Sequence, residues 1–208
     1  MRRAAVLLSA LALLATPVVT AGSAAAETWT HRDARGDVVD VPYDDDLTKI
    51  TANPDDVAAD ITRLSVRHGT RRVTVTLGLR DLRTGGTGVG VRLVTPRGDF
   101  TLTAFAVDGL RMHFFQETAK SDSDEEVACR GDRVRLQPRH DRVRVSIPRT
   151  CLGEPRWVRA GGIFMHGIER AVAEEGPFQV DEALHTGMTR EFVEGDAYPV
   201  ARRKVRVS

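Results

Sequence analysis

Alternation of apolar and polar residues with a period of two is the main pattern along this chain. From Arg72 to Leu79, valine and leucine occupy every second position, and arginine, threonine and glycine occupy the others. Such alternation is typical of a β-strand with one face in a core and the other in water. Three further stretches continue it after glycine-containing turns: 88–93, 99–107 and 110–116. The pattern therefore predicts a series of antiparallel strands.

A hairpin is predicted where arginine alternates with aliphatic residues in two successive arms. The arms are 133–136 and 142–147, and a turn from Pro138 to Asp141 joins them. In both arms, the alternation places the arginines on the outer face and the aliphatic residues on the inner face.

Weaker patterns extend the β assignment at both ends of the chain. Residues 61–66 read as a strand in which Ile61 is out of phase with Leu64 and Val66, and this slip predicts a β-bulge. One or two strands are predicted within 157–165, and a short helical turn within 148–152.

Together these patterns predict an all-β protein, an antiparallel β-sandwich with short helical turns. No stretch has the periodicity of a long amphipathic helix. We place the β-sandwich domain at 27–168 and a C-terminal extension, packed on the sandwich or trailing from it, at 169–208. Within that extension, Lys204 to Val207 read either as a last edge strand or as a frayed terminus.

The first 26 residues have the layout of a secretory signal peptide. Arg2 and Arg3 form a basic start, an apolar run extends from Ala4 to Val19, and small residues follow as far as Ala26. No cysteine lies at the cleavage site to carry a lipid, and no later run is long enough to span a bilayer. We expect cleavage after Ala26, a mature form without a membrane anchor, and secretion. An uncleaved anchor is the alternative, which the short apolar run disfavours.

The charge balance gives no reason to expect a nucleic-acid partner. Two of the 30 Lys and Arg residues lie in the leader, whereas all 29 Asp and Glu residues lie after it, which leaves a formal charge near −1. A nearly neutral chain is not typical of proteins that bind nucleic acid or anionic membranes. Arginine greatly outnumbers lysine, and GC-rich coding is enough to explain that excess.

The two cysteines, Cys129 and Cys151, predict a disulfide bond. An even number of cysteines in an exported chain favours pairing. Closing a loop over their separation of 22 residues stabilises a fold by about 3 kcal/mol in the chain-entropy model. Two buried free thiols are the alternative.

Signatures of the common catalytic sites are missing from the sequence. It contains no G-x-S-x-G, no H-E-x-x-H, no P-loop and no dinucleotide fingerprint. The six histidines lack the spacing of metal ligands: His31, His68, His113, His140, His166 and His185. We therefore name no catalytic residue and lean towards a non-catalytic protein.

Acidic residues in the N-terminal part are candidates for a calcium site. Asp33, Asp37 and Asp60 lie in a region rich in aspartate and glycine, and Ca²⁺ takes about six to eight oxygen ligands. No EF-hand spacing is present, so the alternative is a solvated loop whose aspartates cap turns. Apart from Ca²⁺, we expect no cofactor.

Aromatic residues are candidates for a sugar-binding face, because rings stack on the apolar faces of pyranoses. Trp29 and Tyr43 are the residues we expect to face a ligand. The alternative assigns such rings to the core or to sheet edges.

Three short segments resemble known modules. The order Gly36-Asp37-Val38, Ala59-Asp60-Ile61 and Leu79-Arg80-Asp81-Leu82 resembles the opening of DOMON-like and family-nine-like carbohydrate-binding β-sandwiches. Val145 to Gly153 with Trp157-Val158 looks like a group of uncharacterised secreted bacterial proteins. The resemblance implies a β-sandwich with an extracellular binding or structural role, and it transfers no ligand.

Our functional expectation from the sequence is a secreted, non-catalytic β-sandwich that binds glycan or another cell-envelope component. The partner would be an extracellular polysaccharide, a cell-wall component or a protein. Two alternatives stay open: a secreted hydrolase with a site assembled from separated residues, and a protein-interaction or inhibitor module using loops such as 118–128.

Overall fold

A computed structural model describes residues 26–43, 49–108, 110–117, 125–126, 128–184 and 199–207. The predicted signal peptide lies outside these residues, except for Ala26. Most of the loop 118–128 and His185 also lie outside them.

The described residues form fourteen β-strands and one α-helix. The strands are β1 (Glu27–Arg32), β2 (Val39–Val41), β3 (Thr51–Ala52), β4 (Ile61–His68), β5 (Arg72–Leu79), β6 (Thr87–Val94), β7 (Asp99–Val107), β8 (Leu110–Glu117), β9 (Glu125–Glu126), β10 (Arg133–Gln137), β11 (Arg142–Pro148), β12 (Trp157–His166), β13 (Phe178–Glu182) and β14 (Val205–Arg206). The helix α1 is Ile168–Glu174, and the 3₁₀ turns are Pro138–His140 and Arg149–Leu152. The turn predicted within 148–152 is therefore confirmed.

Two antiparallel sheets make up the fold, and they confirm the predicted all-β sandwich. Among the described residues, the smaller sheet has five strands in the order β1-β4-β5-β11-β10. The larger has the order β3-β2-β13-β12-β6-β7-β8-β9, and β14 pairs with β12 beside this path. The predicted hairpin is β10–β11, in which Val134 lies opposite Val145 and Arg135 opposite Arg144.

The core lies between the two sheets and follows from the alternation. The inward residues of β5 are at most 5% exposed: Val73, Val75, Leu77 and Leu79. Val89, Val91 and Leu93 of β6 belong to the same core cluster. Burial of each such side chain stabilises the fold by about 1.5–3 kcal/mol.

The predicted bulge in β4 is confirmed. The register with β5 shifts between Ile61 and Arg63, so Ile61 and Leu64 both face the core and are fully buried. The extra residue explains why the alternation slips at this point.

The predicted disulfide is present. Cys129 precedes β10 and Cys151 lies in the 3₁₀ turn after β11, and their Cα atoms are 5.5 Å apart. Both half-cystines pack against the core, so the bond attaches the chain before the edge strand β10 to the body of the sheet.

The chain beyond 168 contributes to the sheets. The boundary we placed there falls at the first residue of α1, and β13 pairs with β12 on one side and β2 on the other. The terminal alternation forms β14, which pairs with the start of β12. The edge-strand interpretation of this segment is therefore confirmed. Among the described residues, no helix is long and apolar enough to cross a membrane.

His68 predicts a loss of stability in mild acid. It is buried at the end of β4, and Nδ1–H donates a 2.9 Å hydrogen bond to the carbonyl oxygen of Val205. Burial lowers the pKa of the imidazole and the charge of Arg149 also lowers it, against that hydrogen bond and the charge of Glu27. The unfolded chain takes up this proton near pH 6.5, so below that pH it binds more protons than the folded chain, and stability falls as pH falls.

We test this prediction by comparing His68→Gln with the wild type. The glutamine keeps an amide donor and does not titrate. Between about pH 7 and pH 5, titration of this group destabilises the wild type by at most about 2 kcal/mol. The wild-type melting temperature should therefore fall relative to that of the variant over this interval. The comparison cancels the titration of other groups, and parallel melting curves would contradict the prediction.

Candidate functional site

Two features of opposite charge stand out in the structure, and the first is a buried group of five acidic side chains. They come from the loop after β1, the residue before β4 and the end of β13, and are Asp33, Asp37, Asp60, Asp181 and Glu182. One carboxylate oxygen from each of Asp37, Asp60 and Asp181 lies within 4.8 Å of the other two. We call these five residues the acidic cluster.

Backbone hydrogen bonds hold the acidic cluster together. The amide of Gly36 donates to Asp60 Oδ2 at 3.1 Å, and the amide of Ile61 donates to Asp181 Oδ2 at 2.6 Å. Gly36 has a φ of +70°, and a Cβ there would lie 3.1 Å from the carbonyl oxygen of Pro54. Glycine is therefore the residue that lets this loop approach Asp60.

Burial makes the acidic cluster electrostatically unfavourable. Burial first, and then the negative charge of Asp37, raises the pKa of Asp33 to about 7. Burial, with the charges of Asp37 and Asp33, raises the pKa of Asp181 to about 8, against the hydrogen bonds from the amides of Ile61 and Glu182. The pKa of Glu182 is raised to about 8, again first by burial and then by Asp33 and Asp37. Asp60, Asp181 and Glu182 are at most 1% exposed, which keeps them from contact with a bulky substrate.

The structure brings together the three aspartates that the sequence singled out, and adds two acids that it did not. Asp37 and Asp60 share the group of oxygens, and Asp33 is close enough for both charges to raise its pKa. Asp181 and Glu182 were missed because they lie far away along the chain. The available signal was two adjacent acids at the end of an apolar segment, Phe178 to Glu182.

The second feature is the outer face of the five-stranded sheet, which carries arginine at eight positions and an acid at none. The arginines are Arg32, Arg63, Arg67, Arg72, Arg133, Arg135, Arg142 and Arg144. The other outward positions within these strands are Thr28, Thr30, Thr62, Ser65, Thr74, Thr76, Gly78, Gln137, Ser146 and Pro148. All five strands belong to the described residues. We call this surface the arginine face.

The pairing register aligns the arginine face in rows across the strands. The middle row is Thr30, Ser65, Thr76, Arg144 and Arg135. The rows on either side are Arg32, Arg63, Gly78, Arg142 and Gln137, and Thr28, Arg67, Thr74, Ser146 and Arg133. Adjacent strands lie about 4.8 Å apart and alternate residues of one strand about 7 Å apart, so the positive charges are closely spaced.

These guanidinium groups have few partners within the protein. In the described part of the chain, none of the eight forms an ion pair with a carboxylate. Arg72 donates to Ser146 and to the carbonyl oxygen of Gly131. Burial lowers the pKa of Arg72, and the charges of Arg133 and Arg144 lower it further, partly opposed by Asp132. The face is therefore a surface of mutually repelling cations.

The arginine face has no aromatic ring among its outward positions. It has shallow depressions of about 160 to 260 Å³, lined by arginine with serine, threonine and glycine. Arginine and hydroxyl side chains donate hydrogen bonds, and arginine matches sulfate, phosphate and carboxylate geometry. The surface is therefore suited to anionic groups and not to stacking on neutral sugars.

A third feature is an apolar groove at the edge where β10 faces β6, β7 and β8. Its cavity measures about 380 Å³, and its lining includes Phe105, Met112 and Leu136. His113 lies at this groove and pairs with Asp132 at 3.1 Å. The lining contains no serine or cysteine, so the groove supplies no nucleophile of that kind to the histidine.

The two predicted ligand-facing aromatics belong to different sheets. Trp29 lies on the inner side of β1, half-buried against the core, and its ring stacks on His31 at 6.0 Å. Tyr43 follows β2 of the other sheet and is 47% exposed. Trp29 is therefore not displayed on the arginine face.

Comparison with protein-family models, with curated proteins and with solved structures returns no match for this chain. The resemblance to carbohydrate-binding sandwiches therefore stays a prediction. Function is inferred from the acidic cluster, the arginine face and the apolar groove.

Proposed function

We propose that this protein is a secreted, non-catalytic binding module whose arginine face binds anionic polysaccharides of the cell envelope or its surroundings. One observation carries the proposal: eight arginines and no acid on one sheet face of a chain that is nearly neutral overall. A chain with random charge placement would mix both signs there. The segregation favours a ligand that is itself a repeated anion.

Several properties favour a polysaccharide over a nucleic acid. The predicted signal peptide and the disulfide both fit an extracytoplasmic protein. The face offers no aromatic ring for bases to stack on, which proteins that bind single strands use. Its arginines are spread over five adjacent strands, which together are wider than the single helix or two-stranded ribbon that enters a major groove. The rows of arginine complement a polymer that carries negative charges at intervals, such as sulfate or uronate groups.

A non-catalytic role has more support than the hydrolase alternative. The acidic side chains that could serve as general acid or base are buried at Asp60, Asp181 and Glu182. The groove with the His113–Asp132 pair lacks a serine or cysteine in its lining. Among the described residues, neither arrangement therefore pairs a serine or cysteine nucleophile with an adjacent base.

Matched polymers test the proposal. We expect the purified protein to bind dextran sulfate and polygalacturonate and not to bind uncharged dextran, because only the anions neutralise the arginine face. Several ionic contacts should make affinity fall at least about tenfold as salt rises from about 50 to 200 mM.

Three outcomes of such titrations would contradict the proposal. Equal binding to dextran and dextran sulfate would show that charge is not recognised. Tighter binding to a DNA duplex than to either anionic polysaccharide would replace the proposed ligand class with nucleic acid. Absence of binding to all three anions at low salt would overturn the proposal.

A further inference from the structure

The acidic cluster has no role in binding anions, and its geometry needs its own explanation. Asp37, Asp60 and Asp181 each place an oxygen within 4.8 Å of the other two. Oxygen ligands of Ca²⁺ lie about 2.4 Å from the ion, so two ligands of one ion are at most about 4.8 Å apart. The three oxygens therefore meet the limit on spacing that ligands of a single cation must satisfy.

In the described part of the chain, the buried atoms Asp60 Oδ1 and Asp33 Oδ2 have no hydrogen-bond partner. Asp60 is fully buried, and its Oδ1 accepts no hydrogen bond, although its Oδ2 accepts from Gly36 and Arg80. The side chain of Asp33 is 2% exposed, and its Oδ2 also accepts none. A buried carboxylate oxygen without a donor is costly, and native proteins rarely leave one.

Among the described residues, Asp33, Asp60 and Asp181 have few cationic groups beside them. Arg80 donates to Asp60 at 3.0 Å, and its side chain is 40% exposed. His31 Nε2 lies 4.0 Å from Asp33. Asp181 is held by the backbone amides of Ile61 and Glu182, which carry no net charge. The carboxyl groups of Asp33, Asp60 and Asp181 therefore share one buried place in which Arg80 and His31 are the cationic partners described. Protonation of the carboxyl groups or a bound cation would stabilise this arrangement.

We infer that Asp37, Asp60 and Asp181 bind a calcium ion, with Asp33 and Glu182 as adjacent carboxylates that strengthen the site. The donors are all oxygens, with no cysteine or histidine among them, which favours a hard cation over zinc or copper. Ca²⁺ fits better than Mg²⁺ because it accepts irregular sets of carboxylates, whereas Mg²⁺ keeps several waters in octahedral geometry. This inference does not depend on the arginine face.

The ion would join the two sheets at this end of the sandwich. Asp60 immediately precedes β4 of the smaller sheet, Asp181 lies on β13 of the larger one, and Asp37 lies in the loop between β1 and β2. The amide of Ile61 already links β4 to Asp181. A cation bound there would oppose separation of the sheets, so its main effect should be on stability.

Melting curves and calorimetric titration with CaCl₂ test the inference on the purified protein after treatment with EDTA near neutral pH. We expect binding of one Ca²⁺ per chain and a rise in melting temperature of roughly 5–10 °C at a concentration about a hundredfold above Kd. Mg²⁺ at the same concentration should raise it less. Asp181→Asn and Asp37→Asn should abolish most of the rise; Asp37 is the less buried of the two, so its variant guards against failure to fold.

A matched control is Asp55→Asn, which removes one exposed aspartate from the neighbouring loop and should keep the full response. Three results would overturn the inference. The wild type could show the same melting temperature in Ca²⁺ and EDTA, which would mean that the carboxyl groups are held protonated. The Asp181 and Asp37 variants could respond like the wild type, which would place binding elsewhere. Mg²⁺ could match Ca²⁺, which would remove the assignment of the ion.

Discussion

Replacing Arg135 and Arg144 together with glutamate should lower affinity for dextran sulfate at least about 100-fold. The two residues lie opposite each other on β10 and β11 in the middle row of the arginine face. A charge-assisted hydrogen bond contributes about 1.5–3 kcal/mol, and each tenfold change in affinity is about 1.4 kcal/mol. Loss of two such contacts, with repulsion added, therefore gives two or more orders of magnitude.

A matched variant separates this effect from net charge. Arg97→Glu with Arg170→Glu changes total charge equally, but these exposed residues lie at the other sheet, in the turn after β6 and on α1. We expect it to bind within a few fold of the wild type. Affinities measured by calorimetry at low salt distinguish an effect of the arginine face from an effect of net charge. Melting curves check that both variants fold. Equal losses in the two variants would show that net charge, not the face, determines binding.

Replacing both cysteines with alanine should destabilise the fold by about 3 kcal/mol. The disulfide closes a loop over 22 residues and attaches the segment before β10 to the turn after β11. For a chain of this size, the loss corresponds to a fall in melting temperature of roughly 6–12 °C. Because β10 is an edge strand that carries Arg133 and Arg135, its loosening should also weaken polyanion binding.

The wild type in the presence of reductant provides the control for this substitution. If the bond itself stabilises the fold, the reduced wild type and the Cys129→Ala, Cys151→Ala variant should melt at similar temperatures. An oxidised wild type that melts with the double variant would contradict the prediction.

The core strands could be predicted from sequence because burial of one face imposes the alternation directly. The stretches predicted at 72–79 and 99–107 are β5 and β7 as observed. The short strands β2 and β3 gave no such signal, since two or three residues cannot display a period. Strand β13 was missed because its buried positions include Gln179 and Asp181, which a hydrophobic pattern does not mark.

The sites were harder to predict because both depend on contacts between distant segments. The amide of Ile61, the neighbour of Asp60, donates to Asp181, which lies 120 residues further along the chain. No local pattern in the sequence indicates this contact. The arginine face was visible in part, since arginine alternated outward in the β10–β11 hairpin. The net charge near zero did not reveal its full extent, because the acids elsewhere in the chain cancel the positive charge of this surface in the total.

The most direct test of the proposed function is a map of amide chemical shifts in the ¹⁵N-labelled protein during titration with sulfated dextran oligosaccharide. If the arginine face binds the anionic chain, the largest changes should lie on β4, β5, β10 and β11, around Arg67, Arg135 and Arg144. Changes centred instead on the larger sheet, around β6 to β8, would contradict the account.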